Sequence, residues 1–413
     1  MKIKDMGRVV TGKTPLTGVN EYYGGNIMFI SPSDLHGDYL IEKSEKTITE
    51  EGLKSIESNS IDGISVLTGC IGWDMGNVAM CNSRCATNQQ INAIIDFNHK
   101  LVDPRYVYYW LKGKKDYLFS IASVTRTPIL SKSVFENIDI PLPSLKIQER
   151  VTKLLSLIDE KIRKNHQIND YLEEMAKTIY DYWFVQFDFP DENDKPYKSS
   201  GGKMVNANGH IIPEGWTFCK VKDIISNICT GLNPRDNFKL GTGAIKYITV
   251  KNLTTNGTLD FTGCDTIDEF ARAIVHNRSN IQIGDILFAS IAPLGRCYLI
   301  QSEPTDWDIN ESVFSIRANT ALVTPAFLYL YFMSDAFIKH ATSSSTGSIF
   351  KGIRINTLLE TELCVPPLSV ILKFEDCLAS TFPLKSKNYE EIQRLSNLRD
   401  WLLPMLMNGQ ATI

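Results

Sequence analysis

The sequence predicts an α+β protein with an internal pseudo-twofold duplication: two similar mixed α/β globular domains, each followed by one long coiled-coil helix. The first observation is the stretch 147–184, which runs over thirty residues without Pro or Gly and keeps a seven-residue apolar repeat. Taking Val151 as position a puts Val151, Ile158, Asn165, Leu172 and Ile179 at a, and Leu154, Lys161, Ile168, Met175 and Tyr182 at d, a seam that is apolar except at its middle. The second observation is that this helix recurs in 374–407, where KNHQINDYLEEMAKTIYDYW realigns with KNYEEIQRLSNLRDWLLPML at a constant offset. Asn165 then matches Asn388, and Leu172 matches Leu395. A repeat of about 220 residues is a duplicated domain rather than a solenoid. The expected order is a globular domain over 1–145, a helix over 146–184, a linker over 185–215, a second globular domain over 216–367 and a second helix over 368–408.

Length and composition agree with this plan. The 413 residues, 43% of them apolar, can build two or three substantial cores, which excludes a disordered chain. No run of eighteen apolar residues is present, and MKIKDMGRVVTGKTP lacks the apolar core of a signal peptide, so a soluble cytoplasmic protein is expected. The nine Cys are scattered and odd in number, as expected of buried free thiols, and only Cys81 and Cys85 lie close together, without the spacing of a zinc site. A net charge of −4 excludes a globally basic nucleic-acid binder but leaves room for basic loops on an acidic body.

In chain order, the first domain mixes short strand-like runs, such as 27–30 and 63–67, with Gly-rich turns; a helix-like run follows Pro104, and IDIPLP (138–143) closes the domain as a strand ended by prolines. The polar stretch 188–215 reads as a loop or linker. The second domain repeats the landmarks in order: Thr230-Gly231 answers Thr11-Gly12, 245–253 answers 27–35, Asn310-Glu311-Ser312 answers Asn88-Gln89-Gln90, and Pro325 answers Pro104, again before an aromatic helix. Pro383 falls inside the second long helix, which should break or kink there.

The literal match GRVVTGKT (7–14) to a phosphate-binding loop reads as a false positive. Such a loop needs a buried strand running into the first Gly and a helix starting after the Lys, whereas only MKIKDM precedes it and Pro15 follows. The six His are isolated, and no nucleophile elbow, dinucleotide fingerprint or Asn/Asp-Pro-Pro-Tyr/Phe motif is present, so the chain reads as non-catalytic and without a metal site. What remains are polar loops suited to a DNA groove, where Arg and Lys meet phosphate or guanine, Asn and Gln meet adenine, and small hydroxyls permit close approach. In the first domain these are 11–14, 31–34, 73–77, 88–90 and 125–127, and in the second 233–235, 249–252, 294–296 and 342–348. The candidate DNA-contact residues are Lys13, Thr14, Ser31, Ser33, Asn77, Asn88, Gln89 and Arg126, then Arg235, Lys251, Asn252, Arg296, Ser345, Lys351 and Arg354, with Arg235 read as the counterpart of Lys13.

WFVQFDFPDENDKPYKSSGGKMV after the first helix, PEGW (213–216), LLPMLMNGQ (402–410) and the junctions IDIPLPSLKIQE and CVPPLS resemble, over the whole chain, a specificity (S) subunit of a type I restriction-modification system. The resemblance implies two target-recognition domains, each reading one half of an asymmetric bipartite double-stranded DNA site. Its two spacer helices would pack antiparallel and dock modification (methyltransferase) subunits, two of them expected. It implies no catalytic residue in this chain; S-adenosylmethionine, ATP and Mg2+ would be used by the modification and restriction (translocase and nuclease) subunits. The first copy lacks a PEGW-like opening, for which either a short N-terminus or a differently placed start codon is expected, and Gln148-Glu149 has no counterpart after Pro367. A helix of about 38 residues spans about 57 Å, or about 17 base pairs. Asn165 and Asn388 should share a polar layer or sit in neighbouring ones, with Leu155, Ile158, Ile162, Leu172 and Leu395 forming the seam and the docking surface for a partner helix. The alternatives are a coiled-coil adaptor, which would bind no DNA sequence selectively, a stand-alone DNA-binding protein, which would bind tightly by itself, and a nucleotide-binding enzyme dependent on Lys13.

Overall fold

The structure, a computed structural model, describes every residue except 74, 124–126, 208, 262, 344–351 and 411–413. It divides into two compact units, one formed by Met1–His166 with the chain from Tyr389 onward, the other by Gln167–Asn388. Strands β1 (Arg8–Thr11), β2 (Tyr23–Ile30), β3 (Lys46–Ile48), β4 (Ser65–Gly69), β5 (Val78–Cys81), β6 (Cys85–Thr87) and β7 (Ile91–Ile95) belong to the first unit. They form an antiparallel sheet of order β1-β7-β4-β5 and a smaller sheet β3-β2-β6 in which β2 and β6 run parallel. Helices α1 (Pro104–Lys112), α2 (Lys115–Ser120) and the long α3 (Leu145–Tyr180) follow. Pro104 opens α1 where a missing N–H costs nothing, and Asp103 caps it by accepting from the Arg105 N–H.

The second unit repeats this order. Strands β8 (Met204–Ala207) and β9 (His210–Pro213) form a hairpin, and β10 (Thr217–Lys220) pairs with the last strand; β11 (Ile225–Thr230), β12 (Ile245–Ile248) and β13 (Asp265–Ile267) precede helix α4 (Glu269–Ser279). Strands β14 (Ile286–Ala289), β15 (Cys297–Leu299), β16 (Trp307–Ile309) and β17 (Val313–Ala318) lead into α5 (Pro325–Met333), β18 (Glu362–Val365), α6 (Leu368–Leu378) and α7 (Thr381–Met407). The sheets have orders β11-β17-β14-β15 and β13-β12-β16, with β12 and β16 parallel, matching the first unit strand for strand.

Strand alternation explains why each central sheet is buried on both faces. Val66 and Ile94 face the helices while Leu67, Ala93 and Ile95 face the smaller sheet. In the second unit Ile286 and Phe288 face the aromatic helix α5, and Leu287 faces Ile248 and Ile309. Four of the nine free thiols (Cys70, Cys81, Cys85, Cys297) are buried, but Cys377 is exposed.

Inside the first unit α3 packs antiparallel on α7, and the heptad needs correction. Val151, Ile158 and Asn165 at position a are buried as expected, but the second buried row is Leu155, Ile162, Asn169, Ala176 and Trp183, while Ile168, Met175 and Tyr182 at position d are exposed. A straight α-helix repeats every 3.6 residues rather than 3.5, so its buried stripe drifts by about 20° per heptad. Each half of α3 also packs on its own globular domain. Leu155 and Ile162, expected to receive a partner's helix, are covered instead: Leu155 lies with Leu403 and Leu406 in the core, and Ile162 lies against Ile158 and Ile392, with Leu395 half-buried beside them. Leu172 is only half-buried. Leu155→Ala is therefore expected to lower unfolding stability by about 2–5 kcal/mol, read from the denaturant midpoint. An unchanged midpoint would contradict this packing.

The two seam asparagines each bond inside their own unit, Asn165 donating to Glu391 Oε2 (2.8 Å) and Asn388 to Asn169 Oδ1 (3.0 Å). The second helix does break near Pro383: α6 ends at Leu378 and α7 begins at Thr381, which leaves Pro383 in a first turn that needs no N–H donor. Residues 188–215, expected to be an irregular linker, are folded. Asp188 accepts from the Ser199 N–H and hydroxyl, Phe189 stacks on Tyr197 at 4.6 Å, and Phe184, Phe187 and Phe189 surround Trp216. Polar composition concealed this because three well-spaced apolar side chains (Phe189, Ile212, Trp216) suffice to pin the hairpin to the core. The run 138–143 makes only the isolated bridge Lys2↔Asp139, whereas its counterpart forms the full strand β18.

Candidate nucleic-acid interface

Strand register brings the polar loops of each unit to one edge. In the first unit Thr11 pairs with Asn92, Asn92 with Thr68, and Thr68 with Val78, so the chain leaves β1 and β4 and enters β7 and β5 at the same end. The parallel pair β2 and β6 ends there too, with Ile30 opposite Thr87. Loops 11–14, 31–36, 70–77 and 88–90 therefore share an edge. They are tied together by Thr14 Oγ1 to Gln89 Oε1 (2.7 Å), the Asn88 N–H to the Ile30 carbonyl (3.0 Å) and the Cys70 N–H to the Gln90 carbonyl (2.7 Å).

The second unit repeats these ties with different side chains. The Asn310 N–H donates to the Ile248 carbonyl (2.8 Å), and Asn233 Nδ2 donates to Glu311 Oε1 (2.5 Å) where Thr14 meets Gln89. Asn88 Oδ1 accepts from the Gln90 N–H (3.0 Å), and Asn310 Oδ1 from the Ser312 N–H (3.0 Å), so each holds an Asx turn. Asp34 accepts from the Ser31 N–H and hydroxyl, as Asn252 does from those of Thr249.

These pairings sort the sequence-predicted residues. Asn252 is buried and also donates to the Asp260 carbonyl (2.9 Å), so its amide is spent inside its loop. Ser31 and Asn88 likewise hold turns, which sequence type could not distinguish from groove contact because Asn and Ser do both. Lys13, Ser33, Gln89, Arg235, Lys251 and Arg354 are exposed on the loops or, for Arg354, beside the Ile353 N–H that donates to Ser290. Asn77 is held between His36 and Lys115 Nζ (2.8 Å), two residues the sequence reading did not single out. Arg296 is half-buried, and its Nε has no hydrogen-bond partner among the described residues. Arg126, Ser345 and Lys351 lie outside the described residues. The pairing of Arg235 with Lys13 is corrected: Pro15 and Pro234 fall three residues after Gly12 and Gly231, so Lys13 corresponds to Leu232 and Arg235 to the exposed Leu16. Reasoning from sequence also missed Tyr23 and Tyr247, whose hydroxyls anchor these loops through the carbonyls of Pro15 and Leu232.

The phosphate-loop pattern has the wrong geometry. Its middle is strand β1, the chain after Thr14 turns through a short 3-10 segment at Asn20–Tyr22 rather than starting an α-helix, and Gly12 packs against Thr87 and the Asn88 carbonyl. The pattern therefore lacks the helix start that would aim backbone N–H groups at a phosphate. No group of three metal-ligating side chains occurs among the described residues, and no described helix is long and apolar enough to cross a membrane.

Two copies of one mixed α/β fold each present a matched but chemically distinct loop edge. The chain belongs to the type I restriction-modification DNA specificity family, whose domain matches residues 1–174 and again 213–394. It is 26% identical over 422 residues to the MjaIX type I restriction enzyme specificity subunit of Methanocaldococcus jannaschii, covering 100% of this chain and 93% of that protein. The HindI specificity subunit of Haemophilus influenzae is 30% identical over 178 residues, covering 43% of this chain and 39% of that protein. The fold is similar to the crystal structure of a type I S subunit from M. genitalium, with a TM-score of 0.53 at 14% identity, covering 98% of this chain and 95% of that one.

Proposed function

We propose that this chain is the non-catalytic DNA-recognition subunit of a cytoplasmic type I restriction-modification complex, each globular domain reading one half of an asymmetric bipartite site. The observation that carries the proposal is the repeated loop edge: the backbone ties are the same in both units, while Lys13, Thr14 and Gln89 are replaced by Leu232, Asn233 and Glu311. Equal frameworks with unequal side chains suit two different half-sites. Four strands at about 4.8 Å spacing make an edge about 14 Å wide, close to four base pairs. The modification subunits, two in the complete assembly, would dock on the helices. The apolar residues left exposed there include Ile168, Tyr171, Met175, Tyr182 and Leu384 in one unit and Ile147, Leu157, Leu398 and Trp401 in the other, rather than Leu155 and Ile162. S-adenosylmethionine, ATP and Mg2+ would serve the modification and restriction subunits.

The test begins with adenine methylation mapped in cells making this chain with its modification subunit, for which one bipartite motif is expected. The same complex carrying Lys13→Ala should methylate the same motif, bind it more weakly, and lose about one from the slope of log affinity against log salt, as expected for a phosphate contact. Methylation without any sequence motif would overturn the proposal.

A further inference from the structure

The hairpin between β4 and β5 carries an aromatic side chain that nothing in the fold requires. Trp73 is 77% exposed, although burying a side chain of its size is among the largest apolar gains available to a chain. Two backbone hydrogen bonds flank it. The Gly72 N–H donates to the Pro128 carbonyl (3.0 Å), and the Gly76 N–H donates to the Gly69 carbonyl (2.9 Å). Gly72 (φ 92°) and Gly76 (φ 88°) both adopt the left-handed conformation that a side chain would strain. The indole rests beside the Phe119 ring, with centroids 6.0 Å apart, and the rest of its surface is left to solvent. Lys115 reaches the same loop through Asn77.

A solvent-facing aromatic on a loop that a lysine also reaches, on the edge where the polar loops converge, has the chemistry of a base-stacking contact. We propose that Trp73 inserts against the base stack of the half-site read by the first unit, partly unstacking one step and thereby selecting for deformable sequence. This rests on the reading that the first unit binds DNA. The corresponding tip of the second unit carries Pro293, so the device belongs to one half-site only. DNA is the occupant because the indole stands on the edge where the polar loops converge and Lys115 reaches the same loop, while the apolar groups beside it, Phe119 and the exposed Ile129, form only a small patch.

The experiment uses the complex with its modification subunit and a duplex bearing the methylation-defined site. 2-Aminopurine is placed in turn at each position other than the methylated adenine. A rise in fluorescence at one step of one half-site is expected with the unaltered complex, retained in part with Trp73→Phe and lost with Trp73→Ala. Trp73→Ala should also weaken binding roughly ten-fold, with an unchanged melting temperature because the side chain is exposed. Equal affinity and identical fluorescence for Trp73→Ala would overturn the inference while leaving DNA recognition standing. Loss of the modification subunit from Trp73→Ala on co-purification would overturn it in favour of a protein contact. Failure of the unaltered complex to bind its own methylated site would remove the underlying reading as well.

Discussion

Replacing residues 217–365 with the matching domain of another specificity subunit is expected to change one half of the methylated sequence and leave the other half and the gap as they were. The cut points follow from register: Thr217 pairs directly with Val365, so the domain leaves and re-enters the rest of its unit at one place. Trp216 stays on Phe184, Phe187 and Phe189, so the folded 188–215 segment keeps its packing. On the proposed reading, base contacts come from loops inside the exchanged segment and the gap is set by the helices, which the exchange leaves untouched. Sequencing of methylated adenines reads the outcome. Simultaneous change of both half-sites would replace the modular reading with a composite recognition surface.

The largest stability effect is expected at Lys385. Its ammonium donates to Glu173 and to the Asn256 carbonyl (2.8 Å), and the Tyr329 hydroxyl donates to the same carboxylate (3.1 Å). Both charged side chains are more than nine-tenths buried, at 9% and 5% exposed. Removing one partner of a buried pair leaves an uncompensated charge, so Lys385→Met should cost about 3–5 kcal/mol, a large part of a typical stability of about 5–15 kcal/mol. Glu173→Leu combined with Lys385→Met should recover most of that loss, because an apolar pair has no charge to desolvate. Chemical denaturation of the three proteins measures both effects, and a single variant within about 1 kcal/mol of the unaltered chain would mean that solvent reaches the carboxylate. The first unit has a comparable pair in Asp159 and Arg399 (2.8 Å), with the Tyr109 hydroxyl on the same carboxylate (2.7 Å). In both units α3 supplies the carboxylate and α7 the cation.

Periodicity, repeat and punctuation were legible in the amino-acid order alone. The uninterrupted run 147–184 predicted the 36-residue helix α3, Pro383 marked the break before α7, and Pro104 and Pro325 marked the starts of α1 and α5. The offset of Asn165 from Asn388 and the ordered landmarks showed the duplication, and PEGW with LLPMLMNGQ pointed to the family whose domain matches twice. These signals are local: a helix or a turn depends on residues a few positions apart, and a repeat is a property of order.

Tertiary structure decided which side of each element faces what. Leu155 and Ile162 are apolar whether they meet a partner or this chain's own core, and only packing shows that they meet the core. Asn252 and Ser33 are both polar loop residues, yet one is buried under three hydrogen bonds from Thr249 and to Asp260 while the other is exposed at the same edge. Glu173 and Lys385 lie 212 positions apart in the chain, a separation no short-range pattern can bridge. A side chain's type sets what it can bond to; the three-dimensional neighbours set whether that capacity is already used.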